Sequence, residues 1–378
     1  IKIKKMKNLL LLLTIFLFVS CGEDDATTTS QEPSIPDAFN RTEMLINWAD
    51  NIIVPAYTDF QSKLESLQVA TTNFTASQSQ EDLTELRSKY VSAYKTWQYV
   101  MMFSSLGKAD EININRWVNI YPTKNDIIES NIAANTTDLT LSSTNTQQGF
   151  PALDYLLYGV NNGLIDGDDA IRTAYNSANY RNYLIAVVDR LSSLNQAVLT
   201  DWNDGYRNTF IAATENSVGS SINIMVNDYL YNYEKFFRAY KLGNPLAIFG
   251  VNTRPQDVES LYGKHSKELC LAALAAVQDF FNGKHYTTTG QGESFNTYLT
   301  YLDTKKDGEA LVPLMLNQME AARTSINGLD SDFATQINTN IEAAYTTYDE
   351  IQKLVPMLKI DMMQAFNIAG DYDDNDGD

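Results

Sequence analysis

The chain has 378 residues, of which 44% are hydrophobic and 20% charged, so it can bury a large core and is not intrinsically disordered. Acidic residues outnumber basic ones by 47 to 28, and the formal net charge of −19 excludes nucleic acid as a partner because such a surface repels phosphates. Only two His and two Cys are present, which excludes zinc fingers, iron–sulfur clusters and a disulfide scaffold.

Residues 1–20 have the pattern of a signal peptide. A Lys-rich start precedes an apolar run from Leu9 to Val19, which is too short to span a membrane but has the length of a signal-peptide core. The following Ser20-Cys21 resembles a bacterial lipobox, in which the cysteine thiol is diacylated, and this predicts lipidation at Cys21. An ordinary secretory signal with an incidental cysteine is the alternative.

The segment after Cys21 indicates where the protein would be anchored. Residues 22–25 are rich in Asp and Glu, similar to the export signal of surface lipoproteins in Bacteroidetes, and residues 21–38 are polar enough to form a flexible tether. We therefore expect an outer membrane lipoprotein, held by a lipid anchor and exposed on the cell surface, with a periplasm-facing position as the alternative.

Apolar residues at helical spacing dominate the chain from Asn40 to Ala369. Four stripes run from Leu45 to Leu67, Leu83 to Met101, Tyr180 to Val198 and Ile222 to Tyr240, and further helices are expected over 257–282, 309–327 and 332–366. Pro55 predicts a kink in the first stripe. Alternating strand patterns are nearly absent, so the sequence predicts an all-α fold with bundle-like helices.

A weak internal similarity suggests a duplication. Residues 91–97 share a pattern with residues 230–236, and a Gly/Asp/Asn-rich stretch lies at 162–168. We therefore predict two helical-bundle domains, 39–165 and 166–370, followed by an acidic tail at 371–378.

The segment Gln148–Gly159 contains the most distinctive motif. Pro151 suits the first position of a helix and Gly159 its end, which places Asp154 one turn into a short, otherwise apolar helix. Taken alone, this position indicates an acid that favours the helix dipole.

The same segment resembles the Gly-x-His-x-x-Glu signature of the imelysin family, and residues 115–122, 242–246 and 258–266 resemble other stretches of that family. The resemblance implies two four-helix bundles with a site at their interface. It also implies either metallopeptidase activity or a role in iron uptake or ligand binding, since members differ in this respect. The ligand-binding residues it implies here are Gly149, Pro151, Asp154, Glu259 and Ser266.

This chain departs from the signature at its chemically important positions. Pro151, which has no lone pair for a metal, replaces the His, and Asp154 replaces the longer Glu. A catalytic zinc normally needs three protein ligands, and His265 and His285 are the only imidazoles. We therefore expect no catalytic residue and no metal ligand, although an oxygen-only cation site at Asp154 and Glu259 is left open.

The function expected from these features is that of a cell-envelope ligand-binding protein, associated with iron uptake in one version of the hypothesis. The ligand is an unidentified small molecule, peptide or metal, and any cofactor is unknown. The alternative is an imelysin-type metallopeptidase with an atypical metal site. A glycan-binding lipoprotein built on helical repeats is a rival scaffold, but no repeated helix pair of fixed period is visible.

Overall fold

The computed structural model describes residues 38–160 and 167–370. From Phe39 onward the described residues form one compact unit made almost wholly of helices, which confirms the all-α prediction. The predicted signal peptide, Cys21, the acidic tail and all of the tether except Ala38 lie outside the described residues. The predicted domain boundary at residues 165 and 166 lies outside them too, so the two-domain division and the internal duplication stay predictions.

Helices of the first half surround one long helical rod that runs from residue 41 to residue 77. Pro55, which has no backbone N–H to donate, lies inside this rod, directly after a π-helical segment in which the regular hydrogen-bond pattern already changes. The elements are α1 (Arg41–Ile46), a π-helical segment (Asn47–Ile53), α2 (Val54–Ser77), α3 (Gln80–Val100), a 3-10 segment (Met101–Phe103), α4 (Lys108–Glu111), α5 (Ile114–Val118), α6 (Asn125–Ala133), a 3-10 segment (Ser142–Thr144), α7 (Gly149–Asp154) and a π-helical segment (Tyr155–Gly159).

The second half also contains both α-helices and π-helical segments. Its elements are α8 (Asp168–Ala174), α9 (Ala178–Asp201), a π-helical segment (Trp202–Tyr206), α10 (Arg207–Ala212), α11 (Ser221–Tyr231), a π-helical segment (Asn232–Gly243), a 3-10 segment (Pro255–Asp257), α12 (Ser266–Phe281), α13 (Phe295–Tyr301), the two-residue antiparallel strands β1 (Lys305–Lys306) and β2 (Glu309–Ala310), α14 (Leu311–Asn327), α15 (Phe333–Thr339), α16 (Ile341–Gln352), a π-helical segment (Met357–Met362) and α17 (Met363–Ala365).

Two of the expected helices differ from the structure. The helix expected over 257–282 begins only at Ser266, because the preceding residues form turns with positive φ at Ser260 and Lys264. The helix expected over 332–366 is divided at Asn340, whose extended backbone ends α15 while its side chain caps α16 by accepting from the Ala343 N–H. A turn at the first place and a side-chain cap at the second therefore override a continuous apolar period.

The long helices pack on one another in a continuous sequence. α2 lies between α3 and α9, α3 packs on α12, and α12 packs on α14, which in turn packs on α16. One apolar core extends through all of them, with three tryptophans fully buried within it. Within residues 38–160 and 167–370, no helix combines the length and the apolar character needed to cross a membrane.

Candidate functional site

Asp154 is positioned by a short helix whose start requires a glycine. Gly149, the first residue of α7, has φ +77°, and a Cβ built there would lie 2.3 Å from the carbonyl oxygen of Val118. The next residue, Phe150, is fully buried and stacks on Tyr94 with ring centroids 4.3 Å apart. Gly149 therefore has a packing role, and its close contact with Val118 fixes the position of α7 and so that of Asp154.

The carboxylate of Asp154 is buried and accepts four hydrogen bonds. Oδ1 accepts from the Tyr90 hydroxyl (3.1 Å), the Ser260 hydroxyl (2.7 Å) and the Gly263 N–H (3.0 Å), while Oδ2 accepts from the Tyr262 N–H (2.8 Å). Three of these donors belong to the turn at 260–263, so Asp154 joins the two halves of the chain. Asp154 is the sixth residue of a helix that begins at Gly149 and continues through the π-helical segment Tyr155–Gly159, close to the position expected from the sequence.

Burial is the main influence on the ionisation of Asp154. It raises the pKa of the carboxyl above its ordinary value, and the hydrogen bonds from Ser260, Tyr262, Gly263 and Tyr90 oppose that rise. All four partners are neutral, so no cation compensates the buried charge directly. Because its partners are neutral, the Asp154 carboxyl can still accept a hydrogen bond or a proton from a ligand.

Glu259 lies in a second buried network beside the first. Its carboxylate pairs with the ammonium group of Lys241 and also accepts from the amides of Asn119 (2.9 Å) and Gln98 (3.3 Å). Lys241 and Glu259 are only 1% and 2% exposed. Since Glu259 and Ser260 are adjacent in sequence, the two networks share one backbone segment, but every strong donor around Glu259 is already used within the protein.

Ser266 forms a hydrogen bond within the protein. Its hydroxyl donates to the backbone carbonyl of Glu259 at 2.7 Å, which fixes the turn between Glu259 and α12.

Cys270, in α12, is buried and free, as expected of a small core residue. Burial raises the pKa of its thiol to about 12, although nearby Lys241 acts in the opposite direction.

A cavity of about 190 Å³ opens beside Asp154. It has room for on the order of six water molecules, which is the size of a side chain or a small head group. Its lining is Tyr121, Pro122, Thr123, Pro151, Asp154, Gln256, Val258, Ser260, Leu261 and Tyr262. Of the five residues that the family resemblance implied, only Pro151 and Asp154 reach this cavity.

The donors available do not fit a metallopeptidase centre. His265 contacts Glu268 (2.5 Å) and the Tyr158 hydroxyl (3.3 Å), whereas His285 contacts Thr288. The two imidazoles therefore share no partner. Across residues 38–160 and 167–370, three His, Cys, Asp or Glu side chains never come together in a group that would hold a metal ion. Pro151 offers no donor atom, and the lysine neutralises Glu259, so a zinc site of the usual three ligands has no ligand set here.

Several residues of the two networks were missed in the sequence. Tyr90 falls on the apolar stripe from Leu83 to Met101, which predicts a core residue. Gln98 lies in the same segment, and the residues beside Lys241 do not indicate that its side chain is buried. Ser260 and Asn119 lie inside stretches that resemble the family, but nothing in their spacing distinguishes them. A buried polar residue is recognisable only when its partner in another helix is known.

The sequence matches the imelysin family model (Peptidase_M75) over residues 53–358. Among solved structures, an imelysin-like protein from Psychrobacter arcticum 273-4 superposes with a TM-score of 0.68 at 17% identity, covering 88% of this chain and 97% of that one. A protein from Parabacteroides distasonis ATCC 8503, named as an iron-regulated protein A precursor, gives 0.70 at 17% identity, with coverage of 86% and 95%. No curated protein matches the sequence significantly.

Proposed function

The chain belongs to the imelysin family, and we propose that it acts as a cell-envelope ligand-binding protein whose ligand enters the cavity beside Asp154. One observation carries this proposal: a buried carboxylate, held only by neutral donors, forms part of the wall of a cavity large enough for a small head group. A site of this kind is suited to recognition, because a few fixed polar groups within an apolar lining orient a ligand.

The chemistry of the lining indicates the part of the ligand that is recognised. Tyr121, Tyr262 and Pro151 provide ring surfaces, while Asp154, Thr123 and Gln256 provide polar atoms. A ligand group that donates a hydrogen bond, such as an amine or a hydroxyl, complements the Asp154 carboxylate. The volume admits one side chain or head group, so a larger ligand would place only its end here.

The proposal is tested by recovering the ligand. Protein purified without denaturation, as the wild type and as Asp154→Asn, is examined by native mass spectrometry and then extracted for small molecules. We expect a bound species in the wild type that is absent from Asp154→Asn and retained by the control Asp349→Asn, because Asp349 is exposed on α16. Equal occupancy in the wild type and Asp154→Asn would refute binding at this cavity.

A metal titration distinguishes this function from a metallopeptidase. We expect zinc, iron and calcium to give no stoichiometric binding that depends on Asp154, as measured by calorimetry and bound-metal analysis. Chelator-sensitive cleavage of an unstructured protein, abolished by Asp154→Ala and retained by Asp349→Asn, would establish the peptidase instead.

We also propose an anchored location and a role linked to iron. The lipobox-like Ser20-Cys21 supports acylation of Cys21, which globomycin treatment or a Cys21→Ser variant tests by the change in membrane partition. The role linked to iron is supported by the structural neighbour that is named as iron-regulated. It is tested by measuring the transcript of this protein in iron-replete and iron-starved cells. We expect a rise on starvation, and an unchanged level would remove the iron-linked role.

A further inference from the structure

A second and larger cavity, of about 530 Å³, shares no lining residue with the one beside Asp154. Its floor is entirely apolar and is built from three separate elements. These are the π-helical segment between α1 and α2, the 3-10 segment after α3, and α12. The floor residues are Ile52, Met102, Phe103, Ala276 and Phe280, none more than 6% exposed. This volume falls in the range typical of small-molecule sites.

The outer wall is the loop at 283–292, which hydrogen bonds within the protein hold in place. The side-chain amide of Asn47, in the π-helical segment, donates to the carbonyls of Gly283 and Glu293, both at 3.1 Å. The Tyr286 N–H donates to the Asn51 carbonyl at 2.8 Å. A Cβ at Gly292 would lie 2.3 Å from Cγ of Asn47, so the loop approaches the helix as closely as glycine permits. A preorganised wall lowers the entropic cost of binding.

The carboxylates at the rim already have partners. Asp59 accepts from the Tyr286 hydroxyl at 2.7 Å and lies 3.6 Å from Lys63, and Asp279 forms an ion pair with Lys284 at 3.2 Å. Both rim acids are thus occupied, which leaves the cavity without an unneutralised carboxylate to attract a cationic ligand.

Two polar groups at the rim can form further hydrogen bonds. Among the described residues, neither the Tyr99 hydroxyl nor Nε2 of His285 has a hydrogen-bond partner, although Nδ1 of His285 lies 3.2 Å from Thr288. Burial raises the pKa of Tyr99 to about 12, so its hydroxyl remains a donor at neutral pH. If the Thr288 hydroxyl donates to Nδ1 of His285, Nε2 carries the ring proton, and in that tautomer both rim groups can donate to a ligand group that accepts.

The floor restricts the rest of the ligand. Its five side chains offer no hydrogen-bonding atom, so a fully hydroxylated sugar would bury polar groups without partners, which is unfavourable. Phe103 and Phe280, with ring centroids 5.5 Å apart, instead offer surfaces for an aromatic ring.

We propose that this cavity is a second ligand-binding site, for a small amphipathic carboxylate whose apolar ring packs against Phe103 and Phe280 while its carboxylate accepts from Tyr99 and His285. The site is independent of the one beside Asp154. It requires no metal and no covalent step.

The test uses 3-phenylpropionate as the probe and the chain with Cys21→Ser, followed by isothermal calorimetry. The matched neutral and cationic probes are 3-phenylpropan-1-ol and 3-phenylpropylamine. We expect saturable, one-to-one binding of the acid, at least tenfold weaker binding of the other two, and a roughly tenfold loss in Tyr99→Phe and in His285→Ala, since each loses a hydrogen bond to a charged group. Both variants keep the floor intact.

Three results would overturn the proposal. They are no saturable binding of the acid at millimolar concentration, equal binding of the acid and the amine, and unchanged affinity in both Tyr99→Phe and His285→Ala. Filling the floor with Ala276→Phe should abolish binding, and a thermal melt shows whether that variant is folded. Asp154→Asn should bind the probe as the wild type does, so a failure of the first site is distinguishable from a failure of this one.

Discussion

Breaking the buried Lys241–Glu259 ion pair from one side will destabilise the protein strongly. Lys241→Met leaves the Glu259 carboxylate in a site where it is 2% exposed, with only the amides of Gln98 and Asn119 as donors. An uncompensated buried charge costs about 3–5 kcal/mol. Since a domain has a total stability of about 5–15 kcal/mol, this single change would remove roughly a fifth of that stability or more.

Removing the second charge should restore much of that loss. In Lys241→Met/Glu259→Gln no charge stays buried, and the amide at position 259 keeps the volume of the glutamate. We expect the double variant to be more stable than the sum of the two single changes predicts, by at least about 1.5 kcal/mol, because residues in direct contact are not additive. The exposed pair Lys353–Glu350 provides the control, and its removal should cost less than about 1 kcal/mol.

The measurement is equilibrium unfolding in urea, followed by tryptophan fluorescence and far-ultraviolet circular dichroism. The three fully buried tryptophans, at positions 48, 97 and 202, report on the core, and coincident transitions justify a two-state treatment. Additivity within about 0.5 kcal/mol, or a loss below about 1 kcal/mol in Lys241→Met, would refute the reasoning that the pair is a tightly coupled buried unit.

Three further predictions concern single residues. The raised pKa of Asp154 means that the folded protein holds this proton more tightly than the unfolded chain, so stability should fall as pH rises from about 3.8 through the raised value, and the same urea titrations should show no such contribution in Asp154→Asn. Gly149→Ala should lower the melting temperature far more than Gly308→Ala, since both glycines have positive φ but only Gly149 has backbone within 3 Å of the new Cβ; equal shifts would contradict this. In the Cys21→Ser chain, Cys270 should resist iodoacetamide at pH 8, where a thiol of pKa about 12 is roughly 0.01% ionised, and should react once urea unfolds the protein; rapid labelling of the folded protein would show that the thiol is accessible.

The helices were predictable because their signals are local. The stripes from Leu45 to Leu67 and from Ile222 to Tyr240 correspond to continuous helical rods, the second of which ends at Gly243. Boundaries were less accurate. At Asn340 and at Ser266 the chain is governed by a cap or a turn that competes with the apolar period, and such competition is decided by a few hydrogen bonds.

The candidate site was predictable in part. The motif around Asp154 is distinctive in the sequence, and in the structure Asp154 contacts the second half of the chain through Ser260 and the following turn. Glu259 and Ser266 lie close by, but neither lines the cavity: Glu259 is paired with a lysine, and Ser266 supports a backbone carbonyl.

The sequence by itself determined the all-α class, the helical stripes and the presence of Pro151 where the signature has His, because periodicity, composition and the identity of residue 151 are properties of the chain alone. Only the tertiary structure decided that Tyr90 and Lys241 are buried polar partners, that Asp154 closes a turn more than a hundred residues away, and that a second cavity exists behind the loop at 283–292. The physical reason is that a buried hydrogen bond and the shape of a cavity depend on two or more elements at once, and neither leaves a periodic trace in any one of them.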